Sequence, residues 1–337
     1  MIKWLYRDEK QSKAGKDSRY PVPGKGMVWI FAVGPTDEEL GKISKDFALP
    51  LKILKNYSKQ RRSVRYSFEP FACTFVDYNL SGGKIKRTNV LYFVAKSFII
   101  TVLEGPVQSY DSVFSELSEN KENLKLSSIK ALIELLDADI EENYDVLEMI
   151  ENQVAELERE LATKRRDWHI ERVIELRRTL NRMSRAFWGS SRITYFLRAG
   201  LGSLKISPLE ARRMEDLHEG FIHQLDIISN HKEILTDIIT IYQVNISNWL
   251  ATISNKINSS IKLLTWVMFL LTGLTLVITV PNTIATIFGI PSFGLSPSVS
   301  AYIVELLIAS ILVPFVLFFV YWRVIKKKAE GAETQHV

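Results

Sequence analysis

Cys73 is the single cysteine among 337 residues, so no intrachain disulfide can form, which fits a reducing compartment. It lies in a strand-like apolar run and reads as a core residue. The sequence has no phosphate-binding glycine loop, no His-Glu-x-x-His and no paired catalytic carboxylates, so nothing points to an enzyme or to a catalytic cofactor. The opening segment, MIKWLYRDEK, is charged and lacks the apolar core of a secretory signal. The net charge of +5 gathers at Lys10 to Arg19, at Lys59 to Arg65 and after Trp322, without interleaved aromatics that stack bases, and a nucleic-acid partner is not expected. The most informative absence comes near the end: from Leu263 to Val304 there is no charged side chain.

That run, with the apolar stretch that follows it past Glu305, spells two membrane helices. Leu263 to Phe288 and Ala301 to Trp322 each meet the roughly 20 apolar residues needed to cross the hydrocarbon layer, and a short loop joins them. Along the first, Thr265, Thr272, Thr279 and Thr286 recur every seven residues, and Met268, Thr275, Asn282 and Gly289 follow each by three. These positions form one narrow seam on a helix. Threonine stripes also occur where membrane helices simply pack. Asn282, however, is a carboxamide at a depth where an unpartnered polar group is costly, and Pro281 beside it frees a backbone carbonyl. Two helices cannot enclose a hole behind the seam, whereas a closed ring of copies can.

Lys256 and Lys262 precede the first span, and Arg323, Lys326, Lys327 and Lys328 follow the second, while the loop between carries no cation. The positive-inside tendency then puts both termini in the cytoplasm of a multi-pass protein of the cytoplasmic membrane. Residues 1–111 read as a cytosolic α/β domain. Its strands lie in VWIFAV, YSFEPFACTFVDY and NVLYFVAKSFIITVL, with a helix capped by Thr36 and a hairpin turn at Ser81-Gly82-Gly83-Lys84. Residues 112–206 read as a helical hairpin: an acidic helix over Ser127 to Thr163 and an arginine-rich one over Trp168 to Trp188, joined by ion pairs or simply solvated. Ser207-Pro208 then starts a stalk, 207–262, that continues without a breaker into the span 263–289, for about 80 residues or on the order of 120 Å. An outer loop (290–300), the second span (301–322) and a basic tail (323–337) complete the chain.

This order of parts, with Ile261 to Thr265 before the membrane and Val280-Pro281-Asn282-Thr283-Ile284-Ala285-Thr286-Ile287-Phe288-Gly289 closing the first span, resembles the CorA family of divalent-cation channels across nearly the whole chain. The resemblance implies an α+β membrane protein assembled as a funnel-shaped homopentamer in the lipid bilayer. Its first spans would line the pore and its cytosolic part would sense intracellular Mg²⁺. The expected conduit is then Thr265, Met268 as a hydrophobic constriction, Thr272, Thr275, Thr279, Asn282 as a polar ring, and Thr286, with Gly289, Ile290, Pro291 and Glu305 at the outer mouth. Where the family closes this span with Gly-Met-Asn, the chain has Gly289-Ile290-Pro291, so the asparagine oxygen that receives the hydrated ion is missing.

Threonine hydroxyls and one carboxamide suit hydrated Mg²⁺, with Co²⁺ or Ni²⁺ as surrogates, because Mg²⁺ prefers oxygen and sheds water reluctantly. Zinc would call for histidine or thiolate, and the seam has neither. His218, His223 and His231 are spaced by five and eight residues, poorly for one helix face, and read as surface. Asp226, Glu233 and Asp237 are candidates for regulatory metal between subunits. Two alternatives stand beside divalent-cation conduction. One is Zn²⁺ movement, proton-coupled as in the ZntB branch that this architecture resembles; the other is a non-conducting pentameric sensor or scaffold.

Overall fold

The computed structural model describes residues 1–8, 11–17, 19–22, 24, 26–66, 69–119, 126–163, 170–200, 204, 206–289 and 297–333, without the side chains of 163, 297–300 and 324–333. The chain divides into two compact units, Met1–Val244 and Asn245–Val337.

The first unit is built on a seven-stranded sheet: β1 (Ile2–Arg7), β2 (Ser12–Gly15), β3 (Met27–Val33), β4 (Val64–Tyr66), β5 (Phe71–Ser81), β6 (Lys84–Val94) and β7 (Phe98–Leu103). The strand order is β2-β1-β3-β7-β6-β5-β4, antiparallel throughout except for β3 with β7. Successive side chains of a strand point to opposite faces, and here both faces are covered. Trp29 and Phe31 of β3, with Phe75 of β5 and Tyr92 of β6, join a core shared with α3 (Gln108–Glu119), α4 (Ser128–Thr163), α5 (Ile170–Arg198) and the start of α6 (Pro208–Phe288). Val28, Ile30 and Ala32, with Leu91 and Phe93, face a second core under α1 (Asp37–Asp46) and α2 (Leu51–Asn56).

The local signals read from the sequence correspond to physical contacts. Thr36 and Glu39 form a reciprocal capping box at the start of α1. Ser207 and Glu210 do the same for α6, and Glu210 also accepts a hydrogen bond from Ser127 Oγ at 2.7 Å, while Ser127 caps α4 through the Lys130 amide. One carboxylate thus ties together the first turns of two long helices. Ser81 pairs with Lys84 across Gly82 and Gly83, both at positive φ (59° and 72°), where a side chain would be strained.

The structure differs from expectation in four places. β1 and β2 extend the sheet ahead of Met27. α3 starts at Gln108, so the boundary at 111/112 cuts a helix. α5, described from Ile170, runs ten residues beyond Trp188, to Arg198, the expected start at Trp168 lying outside the described residues. Helices α3, α4 and α5 and the first part of α6 share one core with the sheet, so by packing there is no domain break at 111 or 206. Cys73 is fully buried, as expected.

The second unit holds the C-terminal part of α6 and α7 (Pro297–Glu333). Within them, both the end of α6 and Ala301–Arg323 are long and apolar enough to cross a membrane.

Candidate ion-conducting face

In the second unit, the end of α6 packs on α7 through a single stripe. Trp266, Phe269, Gly273, Val277, Val280, Pro281, Ile284 and Phe288 are the half-buried positions on this part of α6, and Ile303, Leu307, Ser310, Pro314 and Phe318 those on α7. The Phe269 and Phe318 rings stack with centroids 5.2 Å apart, and Tyr321 lies 5.0 Å from Phe269. Gly273 permits this closeness, since a Cβ there would stand 3.2 Å from the Phe318 ring.

The threonine and asparagine seam lies elsewhere on the helix. Thr265, Met268, Thr272, Thr275, Thr279, Asn282, Thr286 and Gly289 are all exposed in the single chain. At about 100° per residue, their mean direction is roughly 150° from that of the α7-facing stripe. The structure therefore brings the seam residues together on one face and keeps that face off the partner span. Ile290 and Pro291 lie outside the described residues. Glu305 is exposed and points away from the α6-facing side of α7, so within one chain it does not join the seam.

Hydroxyl geometry divides the seam further. Thr265, Thr272, Thr275 and Thr286 each donate to the carbonyl four residues back, at 2.7–2.8 Å. With their protons spent internally, these hydroxyls present only acceptor lone pairs outward. The Thr279 hydroxyl and the Asn282 carboxamide have no hydrogen-bond partner among the described residues, although the Thr279 carbonyl accepts from Thr283 Oγ1 at 2.8 Å. They are one turn apart and flank Pro281, which gives Val277 O no amide to bond.

In the first unit, Asp226, Glu233 and Asp237 are exposed and fall on one stripe of α6, seven and four residues apart, but among the described residues they join no metal-ligating group. Among the described residues there is no group of three or more His, Cys, Asp or Glu arranged to hold a metal ion. The histidines need correction. His223 is exposed, yet His218 Nδ1 lies 3.0 Å from Ser191 Oγ, and His231 is buried, its ring nitrogens unpartnered and its proton affinity lowered by desolvation.

Sequence reasoning missed a buried acid cluster. Asp77 of β5 and Asp139 of α4 are fully buried beside each other, Asn79 donates to Asp77, and no cation pairs with either carboxyl among the described residues. Burial, and for Asp139 also the proximity of Asp77, pushes both above the ordinary carboxylate range. Glu142, one turn along α4 and hydrogen-bonded to Ser109, is pushed to about 7, chiefly by desolvation. The available signal was Asp77 itself, a charge inside the apolar run FACTFVDY; Asp139 was hidden among the many acids of its helix.

Residues 24–327 match the family model described as CorA-like Mg²⁺ transporter protein. The chain belongs to this family. It is accordingly a divalent-cation transporter of the CorA type and not an enzyme. The cobalt/magnesium transport protein CorA of Methanocaldococcus jannaschii is 23% identical over 301 residues, covering 88% of this chain and 89% of that protein. The complete structure of the CorA magnesium transporter from the same organism superposes with a TM-score of 0.62 at 17% identity, covering 94% of this chain and 97% of that one. The ZntB cytoplasmic domain from Vibrio parahaemolyticus matches in fold with a TM-score of 0.58 at 12% identity over 73% of this chain and 98% of that one. The CorA likeness accounts for both units, an α/β part followed by two apolar helices.

Proposed function

We propose that the chain assembles as a homopentamer in the cytoplasmic membrane, both termini in the cytoplasm, and conducts Mg²⁺, with Co²⁺ and Ni²⁺ as surrogates, along the seam of α6. The observation that carries this reading is the exposure of the seam about 150° from the face that α7 covers. In hydrocarbon that face needs another occupant, and a ring of copies would give it a water-filled one. The hydroxyl geometry supports a hydrated ion: waters on Mg²⁺ point their hydrogens outward, and threonines that have already spent their own protons accept them. Thr279 and Asn282 would supply the ring where the ion is held most closely. Met268 would narrow the cytoplasmic side, and Gly289, Ile290, Pro291 and Glu305 would form the outer mouth. Asp226, Glu233 and Asp237, sharing an exposed stripe, would take regulatory metal together with a neighbouring subunit, so that the cytosolic part gates conduction.

The test is flux of Mg²⁺, Co²⁺, Ni²⁺ and Zn²⁺ into liposomes containing the purified protein, beside Asn282→Leu, with and without a pH gradient. Gradient-independent Mg²⁺ entry that the variant loses is the expected result. Zn²⁺ entry that requires the gradient would replace this reading with zinc transport, and absence of all flux would leave a sensor or scaffold.

A further inference from the structure

The first unit contains a cation-lined cavity unrelated to the seam. It has a volume of about 870 Å³ and opens between the β5–β6 hairpin, α4 and α5. Arg182 and Arg185 of α5, Lys84 and Arg87 of β6, and Arg61 line it, against one acid without an ion pair, Glu175. The acidic helix α4 does not neutralise this group. Of its carboxylates, Glu156 and Glu160 are both taken by Arg172, at 2.7 and 3.4 Å. Arg61, Lys84, Arg87, Arg182 and Arg185 form no ion pair among the described residues. Like charges gathered around one cavity repel each other, and the arrangement is relieved by an anion.

A second feature points into the same space. Tyr78, 3% exposed, is among the lining residues, and its hydroxyl, itself buried, has no hydrogen-bond partner among the described residues. Its ring is fixed edge-on against Phe187 at 6.1 Å, and Arg87 stands directly opposite on the neighbouring strand, hence on the same face of the sheet. Burial raises the phenol to about 12, with Arg87, Arg182 and Arg185 acting in the opposite direction, so at neutral pH the hydroxyl keeps its proton and remains a donor. A buried donor without an acceptor is costly, and an oxyanion in the cavity satisfies it.

We propose that this cavity is a binding site for a phosphate-rich small anion of nucleotide size, held by Arg87, Arg182 and Arg185 with Tyr78 donating to a phosphate oxygen. Guanidinium forks match phosphate oxygens in pairs, which suits several phosphates rather than one small ion. The volume lies within the range of sites that enclose a whole small molecule. Ile85, Met149 and Leu176, from β6, α4 and α5, add apolar surface to the lining for whatever carries the phosphates.

The full-length protein in detergent with EDTA is titrated calorimetrically with ATP, tripolyphosphate and inositol hexakisphosphate, each in constant ionic strength, with sulfate as control. Saturable binding of at least one polyphosphate is expected, weakened at least tenfold in the Arg182→Ala/Arg185→Ala double variant. Tyr78→Phe, which removes only the hydroxyl, is expected to weaken it several-fold with no loss of thermal stability, since it also deletes an unsatisfied buried donor. Tighter binding of ATP than of tripolyphosphate assigns the apolar surface to a nucleoside, and tightest binding of inositol hexakisphosphate assigns the site to a ring polyphosphate. No saturable binding, equal displacement by sulfate, or binding undiminished in the double variant overturns the proposal.

Discussion

Glu142 offers a quantitative handle on the buried acid cluster. Its carboxyl is half-buried, accepts a hydrogen bond from Ser109, and lines a cleft with Lys86 and Asp111; desolvation, followed by the nearby charges of Asp77 and Asp145, outweighs the Ser109 bond and places its titration at about 7 against an ordinary 4.5. The folded state therefore holds a proton that the unfolded chain gives up near pH 4.5. Stability from that proton is complete below about 4.5 and is lost as pH rises through about 7. At about 1.4 kcal/mol per pH unit the difference corresponds to roughly 3 kcal/mol, and allowing for water at a half-buried group it becomes about 2. Glu142→Gln keeps the size and the acceptor oxygen but cannot ionise. For a folded unit of this size, it is expected to raise the melting temperature at pH 8 by roughly 4–8 °C, and to change it little at pH 5. Fluorescence-monitored melts of the full-length protein in detergent at pH 5, 6, 7 and 8 measure this. A variant that melts in parallel with the parent across that range would refute the assignment of the pH dependence to this carboxyl.

Three further outcomes test the packing. Gly189 of α5 presses on the Ser63 carbonyl, leaving no room for a Cβ, and Gly189→Ala is expected to cost about 1–3 kcal/mol in denaturant unfolding because backbone cannot swing aside. Phe221 is fully buried and rings with Phe75 and Phe187; Phe221→Ala is expected to cost about 3–5 kcal/mol in the same assay. Gly273→Leu pushes against the Phe318 ring and is expected to lower the melting temperature of the purified protein in detergent; an unchanged melt would deny the hairpin its close α6–α7 contact.

What the sequence disclosed was local. The capping pairs Thr36 with Glu39 and Ser207 with Glu210, the two-glycine turn, and the apolar spans each depend on residues a few positions apart. The seven-residue seam is likewise a property of one helix. What stayed hidden depends on tertiary neighbours. β1 escaped notice because MIKWLY is half-buried and ends at Arg7, a residue type expected in water but here 1% exposed and donating to the Leu117 carbonyl on α3. The arginines of α5 looked like partners for the acids of α4, yet of those lining the cavity only Arg172 reaches them, because Arg182 and Arg185 sit farther along the helix, beside β5 and β6. His231 had the pattern of a surface residue and is enclosed instead.

The weight of the conduction reading rests on very few of the seam residues. A threonine bonded to its own preceding turn has little need of water, so Thr265, Thr272, Thr275 and Thr286 could face lipid or a packed neighbour at small cost. Their spacing alone therefore does not separate a pore from a helix interface. Thr279 and Asn282 are different, because neither side chain has a hydrogen-bond partner among the described residues, and Pro281 between them withholds an amide from Val277 O. Three unmet polar groups within about one turn would be expensive in hydrocarbon and are natural in contact with water and ions. Asn282→Leu consequently probes the mechanism more sharply than substitution of any back-bonded threonine. It removes the one carboxamide of the proposed conduit from an exposed position off the α7-facing stripe, so a loss of flux in that variant, with the melting profile retained, is not explained by a failed hairpin.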